Sequence, residues 1–121
     1  MAEERRLNIR PVGFNPVVDK GSDTTFGFLV KDAMQEVDLT DYTAKMEIRP
    51  YAGASRVYDT LTTENNRLTI EGGMIRMHFP ASVTKDYTFN KAAYDLLVTS
   101  PGGLVYRILD GDVAFKPGVT R

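Results

Sequence analysis

Cysteine is absent from this 121-residue chain. That removes disulfide staples, thiolate metal sites and thiol nucleophiles together. Histidine is scarce as well, with His78 the only imidazole. General-base catalysis and metal binding both lean on imidazole, so an enzyme would be thinly supplied. Positive charge is not in excess: 15 Lys and Arg stand against 16 Asp and Glu. A protein that holds nucleic acid by neutralising phosphates needs a basic surplus or stripe, so no nucleic-acid partner is expected. No apolar run approaches the roughly 20 residues that span a bilayer, and no membrane partner is expected. Residues 1–6, Met-Ala-Glu-Glu-Arg-Arg, lack the apolar stretch of a secretory leader. The expected location is a cytoplasm, or an assembly built there.

What the chain does contain is ordinary for one globular domain: 42% apolar and 26% charged residues. Its strongest pattern is alternation with period two, in short segments punctuated by turn residues. From Tyr42 to Arg49, Tyr42, Ala44, Met46 and Ile48 share one face, while Thr43, Lys45, Glu47 and Arg49 share the other. Successive strand side chains point to opposite sides, so this is a half-buried strand with one wet face. Asp23 to Val30 repeats the pattern with Phe26, Phe28 and Val30 inward, and Gly27 marks a bulge or a close approach. Arg56 to Leu61 places Val57 with Leu61 and Tyr58 opposite. Leu68 and Ile70 follow, then a Gly72-Gly73 turn. Ile75, Met77 and Phe79 next alternate with Arg76 and His78.

Beyond residue 90, Tyr94, Leu96 and Val98 alternate with Asp95 and Thr99, and Ser100-Pro101-Gly102-Gly103 turns the chain. The return runs from Leu104 to Leu109 and on through Val113 and Phe115, with a bulge or bend predicted at Asp110-Gly111-Asp112. Only Pro80 to Tyr87 looks helical, for about one turn, with Pro80 in the first turn and Ser82 or Thr84 as cap. Short strands spaced in this way predict an all-β, two-layer antiparallel sandwich of about seven or eight strands.

Residues 1–19 are predicted to form an extended N-terminal arm or a first strand, and residues 20–121 the sandwich domain. Pro11 and Pro16 interrupt the first stretch, and Leu7, Ile9, Val12, Phe14, Val17 and Val18 spread apolar surface along it. Proline cannot donate to a ladder, so no long central strand fits there. The arm belongs to its own sandwich as a first strand, lies across a neighbouring subunit, or is disordered.

Catalytic groupings are not evident. His78 falls on an outward strand face, with no Gly-x-Ser-x-Gly elbow to support a triad. The pairs Asp19 and Asp23, Asp38 and Asp41, and Asp110 and Asp112 supply too few oxygens for calcium and are expected at turns. Gly72-Gly73 and Gly102-Gly103 lack the spacing and following helix of a phosphate loop. The expectation is therefore no catalytic residue, no cofactor and no metal. Tyr51, Tyr58, Tyr87, Phe89 and Tyr106 fall near strand ends or on wet faces. They mark either a protein interface or the second face of the sandwich.

Five segments, in order, resemble a group of small phage and prophage proteins. They are Lys20-Gly21-Ser22-Asp23-Thr24-Thr25-Phe26, the run from Val37 to Arg49, Gly73 to Met77, Tyr94-Asp95-Leu96 with Thr99, and Arg107 to Val113 followed by Pro117 and residues 119–121. In the second, an Asp-Leu-Thr-Gly turn of those proteins leads into an alternating strand ending in Arg; Asp41 stands here in place of that Gly. The group is similar to the N-terminal adaptor domain of phage baseplate upper proteins. The resemblance implies an immunoglobulin-like sandwich attached to a tail or baseplate, a structural virion protein that assembles in the host cytoplasm. Its partners would be other virion proteins and copies of itself. Leu7, Ile9 and Phe14 of the arm, with Tyr51, Tyr58 and Tyr106, are the contact candidates. A capsid decoration protein and a host-surface carbohydrate- or receptor-binding module are the alternatives.

Overall fold

In a computed structural model the chain is described over residues 6–33 and 35–120. Residues 1–5, where the expected arm begins, and Arg121, which ends the resembling tail, lie outside the described residues. The elements are β1 (Val12–Gly13), β2 (Val17–Asp19), β3 (Thr24–Leu29), β4 (Lys31–Asp32), β5 (Gln35–Glu36) and β6 (Thr43–Arg49). They continue with β7 (Asp59–Thr62), β8 (Leu68–Glu71), β9 (Met74–Phe79), the single-turn α1 (Ala81–Thr84), β10 (Lys91–Thr99) and β11 (Val105–Lys116).

Alternation in the sequence becomes alternation of burial. In β6, Ala44, Met46 and Ile48 are buried while Thr43 and Lys45 are exposed. In β9, Ile75, Met77 and Phe79 are buried; in β10, Ala92, Tyr94, Leu96 and Val98 are. β4 and β5 form a two-stranded ribbon of their own; of the two larger sheets, one has the order β1-β11-β10-β6-β7, with β2 also on β11, and the other has the order β3-β9-β8. Their inner faces close on one core that includes Met46, Ile48, Leu61, Leu68, Ile75, Leu96, Ile108 and Phe115. The chain leaves the first sheet for β3, returns for β6 and β7, leaves for β8 and β9, and returns for β10 and β11. That division of strands makes this an immunoglobulin-like all-β sandwich.

Residues 12–19 lie along their own sandwich. β1 and β2 pair with β11 in parallel, Val12 beside Leu109 and Val17 beside Ala114. The other strand pairings among the described residues are antiparallel. Pro11 and Pro16 explain why the edge is split into strands of 2 and 3 residues. Between them Phe14 turns inward, and its ring meets Phe26 edge-on at 5.7 Å.

Four local expectations are corrected. The bulge lies at Ile108, where the register steps from Leu96 opposite Leu109 to Leu97 opposite Arg107. This puts Ile108 and Leu109 both inside, while β11 runs unbroken through Asp110-Gly111-Asp112. Gly111 answers to a neighbour instead: a Cβ there would come within 2.3 Å of the Phe14 carbonyl oxygen and 2.6 Å of Asn15 Oδ1. At α1, Pro80 takes the cap position without a side-chain cap, and Asp23 accepts the Ala81 N–H at 2.7 Å. Thr84 is buried, its hydroxyl accepting from Gly21 N at 3.1 Å. Finally, β7 begins only at Asp59, so strand parity does not reach back to Val57 and Tyr58. Val57 is exposed, and Tyr58 packs on the core.

Two expectations gain a physical cause. A Cβ on Gly27 would lie 3.1 Å from Met74 Sδ, so the close approach is to a side chain of the neighbouring strand. Asp41, where the resembling proteins carry Gly, has φ 65°. That left-handed conformation costs a residue with a Cβ, and Asp is among the few that tolerate it.

Candidate functional site

The wet face of β6 continues across its neighbours as a surface of cross-strand rows. Register aligns Arg49–Ala93–Asp112, then Glu47–Asp95–Asp110, then Lys45–Leu97–Arg107, then Thr43–Thr99–Val105. The bulge at Ile108 makes this possible. By burying two consecutive residues it returns Asp110 and Asp112 to the same side as Arg107. Two ion pairs lie on the face: Arg107 Nε with Asp95 Oδ2 at 3.1 Å, and Arg49 Nη2 with Glu47 Oε1 at 3.1 Å. Arg49 also donates to the Ala54 carbonyl, which ties the loop after β6 to the sheet. Pro50 to Gly53 of that loop line one side of an open cleft of about 640 Å³, and Ala93, Asp95 and Leu97 are among its other lining residues. Tyr51 there is 67% exposed.

Of the six contact candidates, Tyr51 is the one that lies exposed; the structure packs the other five on the molecule's own core. Tyr106 is buried because Val105 and Arg107 take the outward positions, and its hydroxyl accepts from Leu7 N at 3.0 Å. Leu7, Ile9 and Phe14 are half-buried against the core. Tyr58 stacks on Phe89 at 3.9 Å, and the contacts continue through Tyr87, Phe115, Phe79 and Phe26 to Phe14. Most of the tyrosines and phenylalanines flagged in the sequence therefore join an internal chain of rings. Edge-to-face and offset contacts of this kind add stability beyond the buried area.

His78, Asp59 and Arg67 are held by neighbouring segments. His78 Nδ1 lies 3.1 Å from Thr25 Oγ1 and its Nε2 lies 2.9 Å from Thr69 Oγ1, a bridge across three strands. Asp59 accepts from Arg67 at 3.1 Å and from the Tyr87 hydroxyl, while Arg67 Nε donates to the His78 carbonyl at 2.9 Å. Burial, followed by the hydrogen bond to Asp59, pushes the Tyr87 phenol above its ordinary value. Thr40, through its hydroxyl and then its N–H, lowers the Asp38 carboxyl, as in a turn that holds its own backbone. A second cleft, about 740 Å³, lies between α1 and the end of the chain, but Lys20 on its wall donates to Tyr87 O and Asn90 Oδ1. Among the described residues no group of three or more His, Cys, Asp or Glu is arranged for a metal ion, and no helix is long and apolar enough to cross a membrane.

The cross-strand rows were readable in part: Thr43, Lys45, Glu47 and Arg49 form the predicted wet face of β6. The place of Asp110 and Asp112 beside Asp95 was not, because it depends on a register shift that has no signature in the residues.

The chain matches no protein-family model and no curated protein sequence. Among solved structures it is similar to two extracellular or antigen domains at low identity. Against the extracellular domains 3–5 of Drosophila OTK the identity is 14% and the TM-score 0.39, covering 95% of this chain; the chain spans 37% of the length of that structure. Against the first Ig-like domain of human CD48 antigen the identity is 10% and the TM-score 0.41, covering 100% of this chain and 94% of that one. The description of this chain as an immunoglobulin-like sandwich rests on its own strand order.

Proposed function

We propose that this chain is a structural component of a bacteriophage particle, of the tail, baseplate or fibre-adaptor kind, that acts by protein–protein contact without catalysis. The observation that carries the reading is the ordered series of five segments resembling phage proteins. The left-handed Asp41 supports it, since it stands where those proteins carry glycine. The open outer face of β6, β10 and β11 is the surface for such contacts. It offers paired charges, a shallow cleft and one exposed aromatic, the composition of a polar interface. The sole imidazole is held between two threonine hydroxyls, which supports a role without general-base chemistry.

A head location, as a decoration protein, uses the same surface. A host-surface glycan or receptor module is the second reading, favoured by Tyr51 beside the acidic cleft.

Mass spectrometry of purified particles, with the chain then located by imaging, tests the proposal. The chain should be present in stoichiometric amount. Absence from the particles, or reproducible turnover by the isolated chain, would overturn it. Binding of isolated protein to host-surface glycans would favour the second reading.

A further inference from the structure

We infer that the outer face of β6, β10 and β11 pairs with the same face of a second copy, about a two-fold axis that crosses the strands between the Glu47 row and the Lys45 row. The inference deepens the assembly reading, on which it rests, by naming one partner for that face.

The rows segregate charge. Glu47–Asp95–Asp110 is entirely anionic, and the adjacent Lys45–Leu97–Arg107 row carries two cations and no anion. Within the chain, Arg107 answers Asp95 and Arg49 answers Glu47. Among the described residues Lys45 and Asp110 make no ion pair. Each sheet face therefore presents an acidic band beside a basic band, each with one charge outside the ion pairs of the described residues.

A closed dimer with a flat contact has its two-fold axis in the plane of that contact, and the surface must complement itself. Two such axes suit a strand face. An axis along β10 sets Glu47 over the partner's Asp110 and Lys45 over the partner's Arg107, like charge on like. An axis across the strands, between the two bands, reverses strand direction and keeps each strand over its counterpart. Glu47 then meets the partner's Lys45, and Asp110 meets the partner's Arg107, each contact formed twice. Sheets stack face to face at about 10 Å, a separation long charged side chains can bridge. Charge thus selects one of the two arrangements, since like charges brought together are costly. The same rotation carries Tyr51, 67% exposed at one end of the face, toward the end that holds Val105, 58% exposed.

Sedimentation velocity of the full chain, from micromolar to about 0.5 mM, tests the pairing. The expected result is a concentration-dependent dimer that weakens as salt is raised. Lys45→Glu places an anion opposite Glu47, and Glu47→Lys places a cation opposite Lys45; each should weaken the dimer by about tenfold or more. The combined Lys45→Glu/Glu47→Lys chain exchanges the two charges on both copies and should restore it. A thermal melt of each variant checks that the monomer is intact, and the salt dependence of the unaltered chain needs no variant. A monomer throughout, a dimer indifferent to these exchanges, or a double variant that stays weak would overturn the inference. So would binding of the face to a different virion protein in preference to itself. A chain present in particles but monomeric alone removes the pairing and leaves the virion reading; a dimer missing from particles does the reverse.

Discussion

The Tyr94 hydroxyl donates a 2.6 Å hydrogen bond to the Phe14 carbonyl oxygen, joining a strand at the centre of one sheet to a residue 80 positions earlier. Phe14 N donates to the Asp110 carbonyl at 2.9 Å, and the Phe14 ring packs edge-on against Phe26 of the other sheet. One residue of the N-terminal stretch is thus held by β10, β11 and β3 together. Tyr94→Phe removes the donor and leaves the carbonyl without that partner, at a cost of about 1–2 kcal/mol. Denaturant unfolding should show this loss with an unchanged m-value, and amide exchange at Phe14 should accelerate. An unchanged midpoint would mean that the bond contributes nothing.

Alkaline pH should act through the same residue. Burial, then the nearby Asp110 carboxylate, raises the Tyr94 phenol above its ordinary 10.0, and Tyr87 is raised mainly by burial. The folded state keeps these protons at a pH where the unfolded chain releases them. Their contribution is therefore complete below about pH 10 and is lost as pH climbs through the raised values. Melting temperature measured between about pH 8 and pH 11 should fall at the upper end. The fall should be shallower in Tyr87→Phe/Tyr94→Phe, and an equal slope in that variant would assign the loss to other groups.

Gly111→Ala should detach the N-terminal stretch. The new methyl group would sit 2.3 Å from the Phe14 carbonyl oxygen, which is backbone and has little room to yield. Either β11 or residues 14–15 must shift, breaking the Asn15 bond to Asp112 N as well. Destabilisation of about 1–3 kcal/mol is expected, with new protease sensitivity between residues 6 and 16. Full protection of that stretch in the variant would show that the crossing has slack.

Strand parity in β6 is tested by two neighbouring substitutions. Met46 is fully buried and Lys45 is exposed. Met46→Asp puts an unpaired charge in the core at a cost of several kcal/mol, enough to leave a domain of ordinary stability unfolded. Lys45→Asp should change monomer stability by less than about 0.5 kcal/mol. Similar melting temperatures for the two would reverse the inward and outward assignments.

Residues taken alone determined the longer strands and their faces. Wherever apolar and polar side chains alternate in regular strand, as from Ala44 to Arg49 or Ile75 to Phe79, only one side can lose water, and burial follows parity. Parity carries no information where the backbone departs from regular strand, and those are the places where expectation and structure differ. Tyr58 lies just outside β7, so its inward position depends on Phe89, which arrives 31 residues later in the chain. The bulge at Ile108 is set by how β11 must align with β10, and it alone brings Asp110 into line with Asp95 and Glu47. Likewise the apolar residues of the N-terminal stretch advertised a need for cover. Which surface met that need was decided only when β11 and the gap beside Phe26 came together, because a contact between distant segments exists in no one of them.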